Sequence, residues 1–140
     1  MLEYAVDRAL TVEAYRDLLI RSTLGERRPV EHPDCLARMV AAPALNVTCW
    51  DGEQLVGLAR SLTDYSFSCY LADLAVDRAH QRSGIGRELV RRTRDRLGPH
   101  CSIILLAAPM ADSYYGPLGF KRHERAWVLE ANHGPIGRAR

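Results

Sequence analysis

Gly84 and Gly86 lie one residue apart, between an apolar segment that ends at Val76 and a charged segment with helical periodicity. The first amide hydrogens of a helix have no intrahelical acceptor and lie at the positive end of the helix dipole, so they can bind phosphate oxygens. Glycine lets a ligand approach the backbone closely and permits dihedral angles that other residues avoid. The segment therefore predicts a diphosphate site, although a close-packed helix start would explain the same two glycines.

Positive charge is concentrated around these glycines. Residues 77–96 hold seven arginines and three acidic residues, while the whole chain has a formal net charge of only +2. Such a concentration favours a phosphate-bearing ligand. A solvated helix surface is the alternative, because Glu88 with Arg92 and Arg91 with Asp95 have the spacing of ion pairs on a helix.

Two common phosphate-binding loops do not fit this segment. Leu89 stands where the dinucleotide-binding fingerprint has its third glycine, and no Gly-Lys-Ser/Thr sequence follows Gly86 as it does in a P-loop. A diphosphate site here would need a different kind of loop.

Asp73 is an acidic residue inside the otherwise apolar segment SCYLADLAV, residues 68–76. Burying an unpaired carboxylate is costly, so this residue is expected to be either functional or paired. A general base is the functional interpretation. A bond to a backbone amide or an ion pair with an arginine is the structural one.

The apolar pattern predicts the elements that position these residues. The predicted strands are 2–6, 45–50, 54–62, 68–76, 102–108 and 127–129, and the predicted helices are 11–22, one beginning near Pro33, 84–97 and 109–118. A strand on each side of the helix at 84–97 implies a parallel crossover. The continuous apolar run SIILLAA at 102–108 predicts a strand covered on both faces.

The composition is that of an ordinary globular protein, with 140 residues of which 47% are hydrophobic and 26% charged. It predicts a single domain over 1–140, with a flexible tail at 132–140. No apolar run approaches the roughly 20 residues that span a bilayer, and no secretory signal is recognisable, so a cytoplasmic protein with no membrane partner is expected. The scattered cysteines and histidines predict free thiols and no metal site.

The segment LAVDRAHQRSGIGRELV resembles the acetyl-coenzyme A signature of the GNAT superfamily of N-acetyltransferases, whose loop reads Q/R-x-x-G-x-G/A. Gln81, Arg82, Gly84 and Gly86 occupy its positions. Ala79 departs from the pattern, which usually has an acidic residue there.

A second segment, YYGPLGF at 114–120, resembles the FYxxLGF segment of the same superfamily. Gly116 and Pro117 replace a charged pair there, and Pro117 is expected to shorten the helix. With the order of the elements, the resemblance extends over about residues 57–130.

The resemblance implies an α/β (α+β) GNAT fold, with a mixed, mostly antiparallel sheet, a splayed parallel central strand pair and about four flanking helices. It implies acetyl-coenzyme A as the cosubstrate, with the pantetheine arm between the splayed strands and the diphosphate on the loop amides. The cofactor-binding residues implied are Leu74, Ala75, Val76, Gln81, Arg82, Ser83, Gly84, Ile85, Gly86, Arg87 and Tyr115.

The resemblance also assigns catalytic roles. Tyr115 takes the position of the general acid that protonates the thiolate of coenzyme A, and core packing is the alternative for this side chain. Asp73 lies near the point where the strands are expected to separate, so it is the candidate base. Many members of the superfamily deprotonate the amine through water instead.

The reaction implied is acetyl transfer to a primary amine, with a small molecule favoured over a protein lysine or N-terminus. An aminoglycoside, a polyamine and an amino acid all stay open. The acidic residues suit a cationic amine and the aromatic ones an apolar body. Candidate residues for the acceptor site are Tyr15, Arg27, Arg28, His32, Trp50, Asp64, Tyr65 and Phe67.

Two other classes of protein compete with the enzyme. A non-catalytic acyl-coenzyme A sensor would keep the glycine loop but would not need Tyr115. A nucleic-acid binder would use the arginines of 87–96, but acidic residues alternate with them and no stacking aromatic accompanies them, so no nucleic-acid partner is expected. The habit of the superfamily suggests a homodimer through the last strands.

Overall fold

The computed structural model describes residues 1–42 and 44–137. The strands are β1 (Leu2–Val6), β2 (Leu45–Asp51), β3 (Gln54–Thr63), β4 (Ser68–Val76) and β5 (Ser102–Ile104), and the α-helices are α1 (Val12–Arg21), α2 (Pro33–Ala41) and α3 (Ile85–Asp95). Short 3₁₀ turns occur at Leu24–Arg27, Arg78–His80, Pro109–Ala111 and Gly116–Leu118.

The strands form one sheet in the order β1-β2-β3-β4-β5. The first three pairings are antiparallel, and β4 pairs with β5 in parallel through the crossover helix α3. The predicted mixed sheet and its parallel pair are confirmed. Residues 127–129 form no strand, so β5 lies at the edge of the described sheet rather than near its centre.

Helices cover both faces of the sheet. On one face α3 buries Ile85 and Leu89 against β2 and β3, and on the other α1 and α2 bury Leu18 and Leu36. At Gly57 on β3 the helix comes so close that an added Cβ would lie 2.8 Å from the Ile85 side chain. The position of α3, and of the loop that precedes it, is therefore set by contact with the sheet.

Local signals start the helices where the sequence predicts them. The Thr11 hydroxyl accepts a hydrogen bond from the Ala14 amide at 3.1 Å and caps α1. Pro33 begins α2, where its missing amide hydrogen costs no hydrogen bond. Gly84 precedes α3 with a φ of 85°, a conformation that glycine adopts more readily than other residues.

The region after β5 differs from the prediction. The strand predicted over 102–108 stops at Ile104, and only one of its faces is covered. Ile103 and Leu105 pack against the core, whereas Ile104 is 62% exposed and Leu106 is 55% exposed. A strand needs a partner edge, and β4 diverges from the chain after this point. The helix predicted over 109–118 is two 3₁₀ turns, since Pro117 interrupts helical hydrogen bonding.

The C-terminal segment also differs. Residues 127–129 are coil, and Trp127 is 93% exposed, so the last predicted strand is wrong. Residues 1–42 and 44–137 contain three α-helices rather than the expected four or so. Of the predicted tail at 132–140, residues 132–137 are exposed and outside any helix or strand, and 138–140 lie outside the described residues. Within the described part of the chain, no helix is long and apolar enough to cross a membrane.

Candidate functional site

A cleft of about 1160 Å³ opens where β4 and β5 separate. The two strands are in register at only three positions, ending with the pair of Tyr70 and Ile104. Beyond that point the cleft lies between residues 71–76 and residues 105–111, with the loop 22–28 and Tyr115 along its walls. The splay that the sequence resemblance implies is present.

Strand β4 turns unpaired backbone groups toward this cleft. The Asp77 amide donates to the Val56 carbonyl of β3 at 2.9 Å, so the alternation along the strand points the amides and carbonyls of Leu74 and Val76 the opposite way. The Gln81 side chain donates to the Val76 carbonyl at 3.1 Å. The Leu74 amide and carbonyl and the Val76 amide are left to bind an extended polar chain as an added strand.

The glycine loop presents a row of unused donors. Among the described residues, no amide from 82 to 87 has a hydrogen-bond acceptor, and the helix α3 begins directly after Gly84. Arg82 and Gly84 have φ values of 64° and 85°, both in the left-handed region. The loop is thus shaped as a concave set of N–H groups, which suits a diphosphate.

The two glycines serve different purposes. A Cβ on Gly84 would have nothing within 4 Å, so its backbone conformation is what requires glycine. A Cβ on Gly86 would collide with the Tyr114 hydroxyl, so this glycine permits close packing. The side chain of Ile85 is buried in the core and leaves only its amide for a ligand.

Part of the positive charge is neutralised by acidic neighbours. Arg91 contacts Glu88 at 2.6 Å and Asp95 at 2.8 Å on the exposed surface of α3. For Arg91 and its acidic partners, the alternative interpretation of a solvated helix surface therefore holds. Arg82 and Arg87, beside the glycine loop, form no ion pair with any described residue.

Tyr115 lines the same cleft and is half-buried. Its ring packs edge-on against Tyr114 at 5.2 Å and Phe120 at 5.5 Å between ring centroids. Burial raises its pKa above the ordinary value, Tyr114 adds to the shift, and the charge of Arg28 opposes it. The phenol therefore stays protonated near neutral pH and can donate a proton.

Asp73 is 1% exposed and fully engaged. Its carboxylate accepts hydrogen bonds from Arg28 Nε at 2.7 Å, from Arg60 Nε at 2.6 Å and from the Tyr15 hydroxyl. Burial alone would raise its pKa, but the hydrogen bonds and charges around it, above all those of Arg60, hold the pKa below the usual range. The arginine-paired interpretation describes this geometry, and a carboxylate so stabilised is a weak proton acceptor.

Sequence reasoning missed this cluster. Arg60 is a charged residue within the apolar strand QLVGLARSL, and a charge in an apolar strand is the same signal that singled out Asp73 on the next strand. The register pairs Arg60 with Asp73 directly. Helix α1 then adds Tyr15, whose side chain is completely buried.

The predicted acceptor residues divide into two groups. Arg27 and Arg28 line the cleft, and Tyr15 lies buried beneath it. The remaining five candidates are outside the cleft lining, namely His32, Trp50, Asp64, Tyr65 and Phe67. Trp50 belongs to the core and Asp64 accepts three backbone amides of its own turn, so the structure does not bring these five residues to the cleft.

A second cavity of about 790 Å³ lies between α3, β5 and residues 118–121. It contains neither Tyr115 nor Asp73. Gly84 and Arg87 line this second cavity, so the glycine loop borders both openings. The splayed-strand cleft is the better candidate site, because Arg82 and Gly86 of the loop line it together with Asp73 and Tyr115. No three metal-ligating side chains come together within residues 1–42 and 44–137.

A family model described as acetyltransferase (GNAT) domain matches residues 26–131, so the chain belongs to the GNAT acetyltransferase family. A search of curated proteins gave no match.

Solved structures share the fold. A Staphylococcus aureus protein described as a probable acetyltransferase is 20% identical, with a TM-score of 0.77 over 95% of this chain and 100% of that chain. A GNAT family acetyltransferase from Streptococcus pneumoniae is 20% identical, with a TM-score of 0.73 over 92% and 98%. An aminoglycoside acetyltransferase from an uncultured soil metagenomic sample, in complex with sisomicin, is 17% identical, with a TM-score of 0.66 over 95% and 97%.

Proposed function

We propose that this protein transfers the acetyl group of acetyl-coenzyme A to a primary amine of a small molecule. The observation that carries the proposal is one cleft lined by both parts of the site. Arg82 and Gly86 of the glycine loop, the backbone of β4 and the protonated phenol of Tyr115 all line it, and the amides of 82–87 are unpaired among the described residues.

The residues present fit coenzyme A. The loop amides and the free arginines Arg82 and Arg87 suit its diphosphate, and the outward-facing backbone of Leu74 and Val76 suits the amide groups of its pantetheine arm. Bound there, acetyl-coenzyme A supplies an activated acetyl thioester. No metal is required by this chemistry.

Acetyl transfer replaces the carbon–sulfur bond with a carbon–nitrogen bond. The amine must lose one proton and the departing thiolate must gain one. We assign protonation of the thiolate to Tyr115, whose raised pKa keeps the phenol protonated at neutral pH. An outward-facing amide of β4 near Leu74 would stabilise the oxyanion that develops on the acetyl carbonyl.

We assign a positioning role to Asp73, because its lowered pKa and three hydrogen bonds suit an anchor for Arg28 and Arg60. The proton of the amine then leaves through water. The base role predicted for Asp73 stays a prediction that the Asp73→Asn variant tests.

Further features of the chain fit this proposal. The four cysteines are free thiols, as is usual in the reducing cytoplasm. We propose one domain over the whole chain and a homodimer, in which a second copy covers the open edge of β5 with its exposed Ile104.

Two measurements on the purified protein test the proposed function. Calorimetric titration with acetyl-coenzyme A is expected to show saturable binding, and a thiol-release assay with a panel of amines is expected to show turnover. Binding without release for any amine would favour the acyl-coenzyme A sensor. No binding would overturn the proposal.

A further inference from the structure

The part of the cleft around Arg28 and Arg60, where we place the acceptor, has an excess of positive charge. Arg28 and Arg60 share the single carboxylate of Asp73, so the buried cluster keeps one positive charge. At the cleft mouth, exposed Glu26 and Arg27 add one charge of each sign. A substrate that is only cationic would meet repulsion here, whereas one that carries an anionic group would neutralise the cluster.

Arg28 has donors left to bind such a group. Its Nε donates to Asp73, its Nη2 to the Ala72 carbonyl at 2.7 Å and its Nη1 to the Arg27 carbonyl at 2.8 Å. These contacts with described residues use three of the five N–H groups of a guanidinium. The side chain is 22% exposed and lines the cleft.

The local structure holds this guanidinium rigidly. Between Leu71 and Asp73, strand β4 has one more residue than β3, so Ala72 bulges out of the ladder and its carbonyl reaches Arg28. The backbone of Arg28 is fixed in turn, since its amide donates to the Gly25 carbonyl at 3.3 Å. A preorganised guanidinium binds a carboxylate with little loss of side-chain entropy.

Arg28 and Tyr115 line the same cleft. The charge of Arg28 also opposes the effect of burial on the pKa of the Tyr115 phenol. Beside it, Leu62 and Tyr70 are paired across β3 and β4, and each is 41% exposed while lining the cleft. An acceptor held by Arg28 can therefore place an apolar body on this pair.

We propose that the acceptor is an amine that also carries a carboxylate, with Arg28 as the carboxylate-binding residue and Leu62 and Tyr70 as the surface for an apolar side chain. Apolar amino acids have this chemistry. The same positive charge lowers the pKa of a bound ammonium group and so favours the neutral amine that attacks the thioester. This inference rests on the proposed acetyltransferase function.

The test compares matched amines in the thiol-release assay. Leucine and phenylalanine are measured beside their amides and beside the decarboxylated amines, with sisomicin as a polycationic amine. We expect kcat/KM for each amino acid to exceed that for its amide and its decarboxylated amine about tenfold or more. Equal or better turnover of the amides, the simple amines or sisomicin would overturn the inference and leave the acetyltransferase standing.

Variants assign the preference to one residue. Arg28→Gln is expected to abolish the preference for the acid over the amide while acetyl-coenzyme A still binds, and Arg28→Lys to retain part of it. Arg38→Gln is the control. It removes one charge at an exposed position of α2, outside the cleft lining, and is expected to keep the preference for the acid.

The outcomes separate the two levels of inference. A preference that survives in folded Arg28→Gln overturns the assignment to Arg28. Acetyl-coenzyme A binding with none of the amino acids accepted overturns the proposed acceptor, and loss of binding by the wild-type protein overturns the proposed function itself. If Arg28→Gln does not fold, the wild-type comparison of acids with amides still decides the acceptor class.

Discussion

The Tyr15 hydroxyl donates a hydrogen bond to the carboxylate of Asp73, which joins helix α1 to the middle of strand β4 beneath the cleft. Both side chains are buried, so the bond competes with little water. Burial and the adjacent carboxylate raise the pKa of Tyr15, which keeps the phenol protonated as the donor. The bond therefore stabilises the fold and also holds Asp73 in place beneath the cleft.

The Tyr15→Phe variant removes this donor and leaves the ring. We expect the free energy of unfolding to fall by about 1–3 kcal/mol, because a buried charged acceptor loses a partner. Urea unfolding at pH 7 measures the loss. Tyr70→Phe, at a partly exposed tyrosine of β4, is the control and should change stability little. A Tyr15→Phe protein as stable as the wild type would contradict the assignment.

The ion pairs of Asp73 predict a dependence of stability on pH. Because its pKa is lower in the folded state than the ordinary value of 3.8, its contribution is present above that value and is lost as the pH falls through the lower, folded pKa. Urea unfolding from pH 6 to pH 2.5 should show stability falling more steeply for the wild type than for Asp73→Asn. Parallel curves for the two proteins would count against the predicted ion pairs.

Gly84 and Gly52 make a matched pair for testing the loop. Both have positive φ and open space where a Cβ would point, but Gly84 lies in the loop before α3, whereas Gly52 lies in the β2–β3 turn. Alanine at either position should cost about 1–2 kcal/mol of stability through backbone strain. Only Gly84→Ala should also weaken acetyl-coenzyme A binding, by several-fold in calorimetry. Equal cofactor affinity in the two variants would count against the loop as the diphosphate site.

The Tyr115→Phe variant tests the general acid. We expect kcat to fall about 100-fold with little change in the dissociation constant of acetyl-coenzyme A. Because the pKa of Tyr115 is raised, the wild-type rate should not fall from loss of this proton until the pH exceeds the ordinary tyrosine value of 10. Unchanged turnover in Tyr115→Phe would show that water or another group protonates the thiolate.

The core of the fold can be predicted from the sequence because its signals are local. The alternation in β4, the Thr11 cap and the glycine before α3 each determine an element without information from elsewhere in the chain. The run at 102–108 failed as a predictor because an apolar segment becomes a strand only where another strand offers a free edge. The composition of residues 102–108 cannot predict that β4 diverges after Ile104 and leaves the segment without a partner strand.

In the site, too, the sequence reveals what depends on local signals and not what depends on contacts with other elements. The unusual position of Asp73 in an apolar strand indicates a special role, but its partners come from three other elements. Their approach depends on the register between β3 and β4 and on the packing of α1. No pattern within the segment that holds Asp73 contains that information, so ion pairing and base catalysis could not be separated before the fold was known.

Gly57 on β3 helps to fix the position of the glycine loop before α3, although it lies outside that loop. With no Cβ at this position, α3 rests directly on the sheet, and the start of the helix is held at the depth of the cleft. Even a methyl group would push the helix outward and carry the amides that we propose to bind diphosphate away from the gap beside β4. We therefore expect Gly57 to tolerate few substitutions although it lies outside the cleft lining, and a larger residue there would change the position of the loop rather than its chemistry.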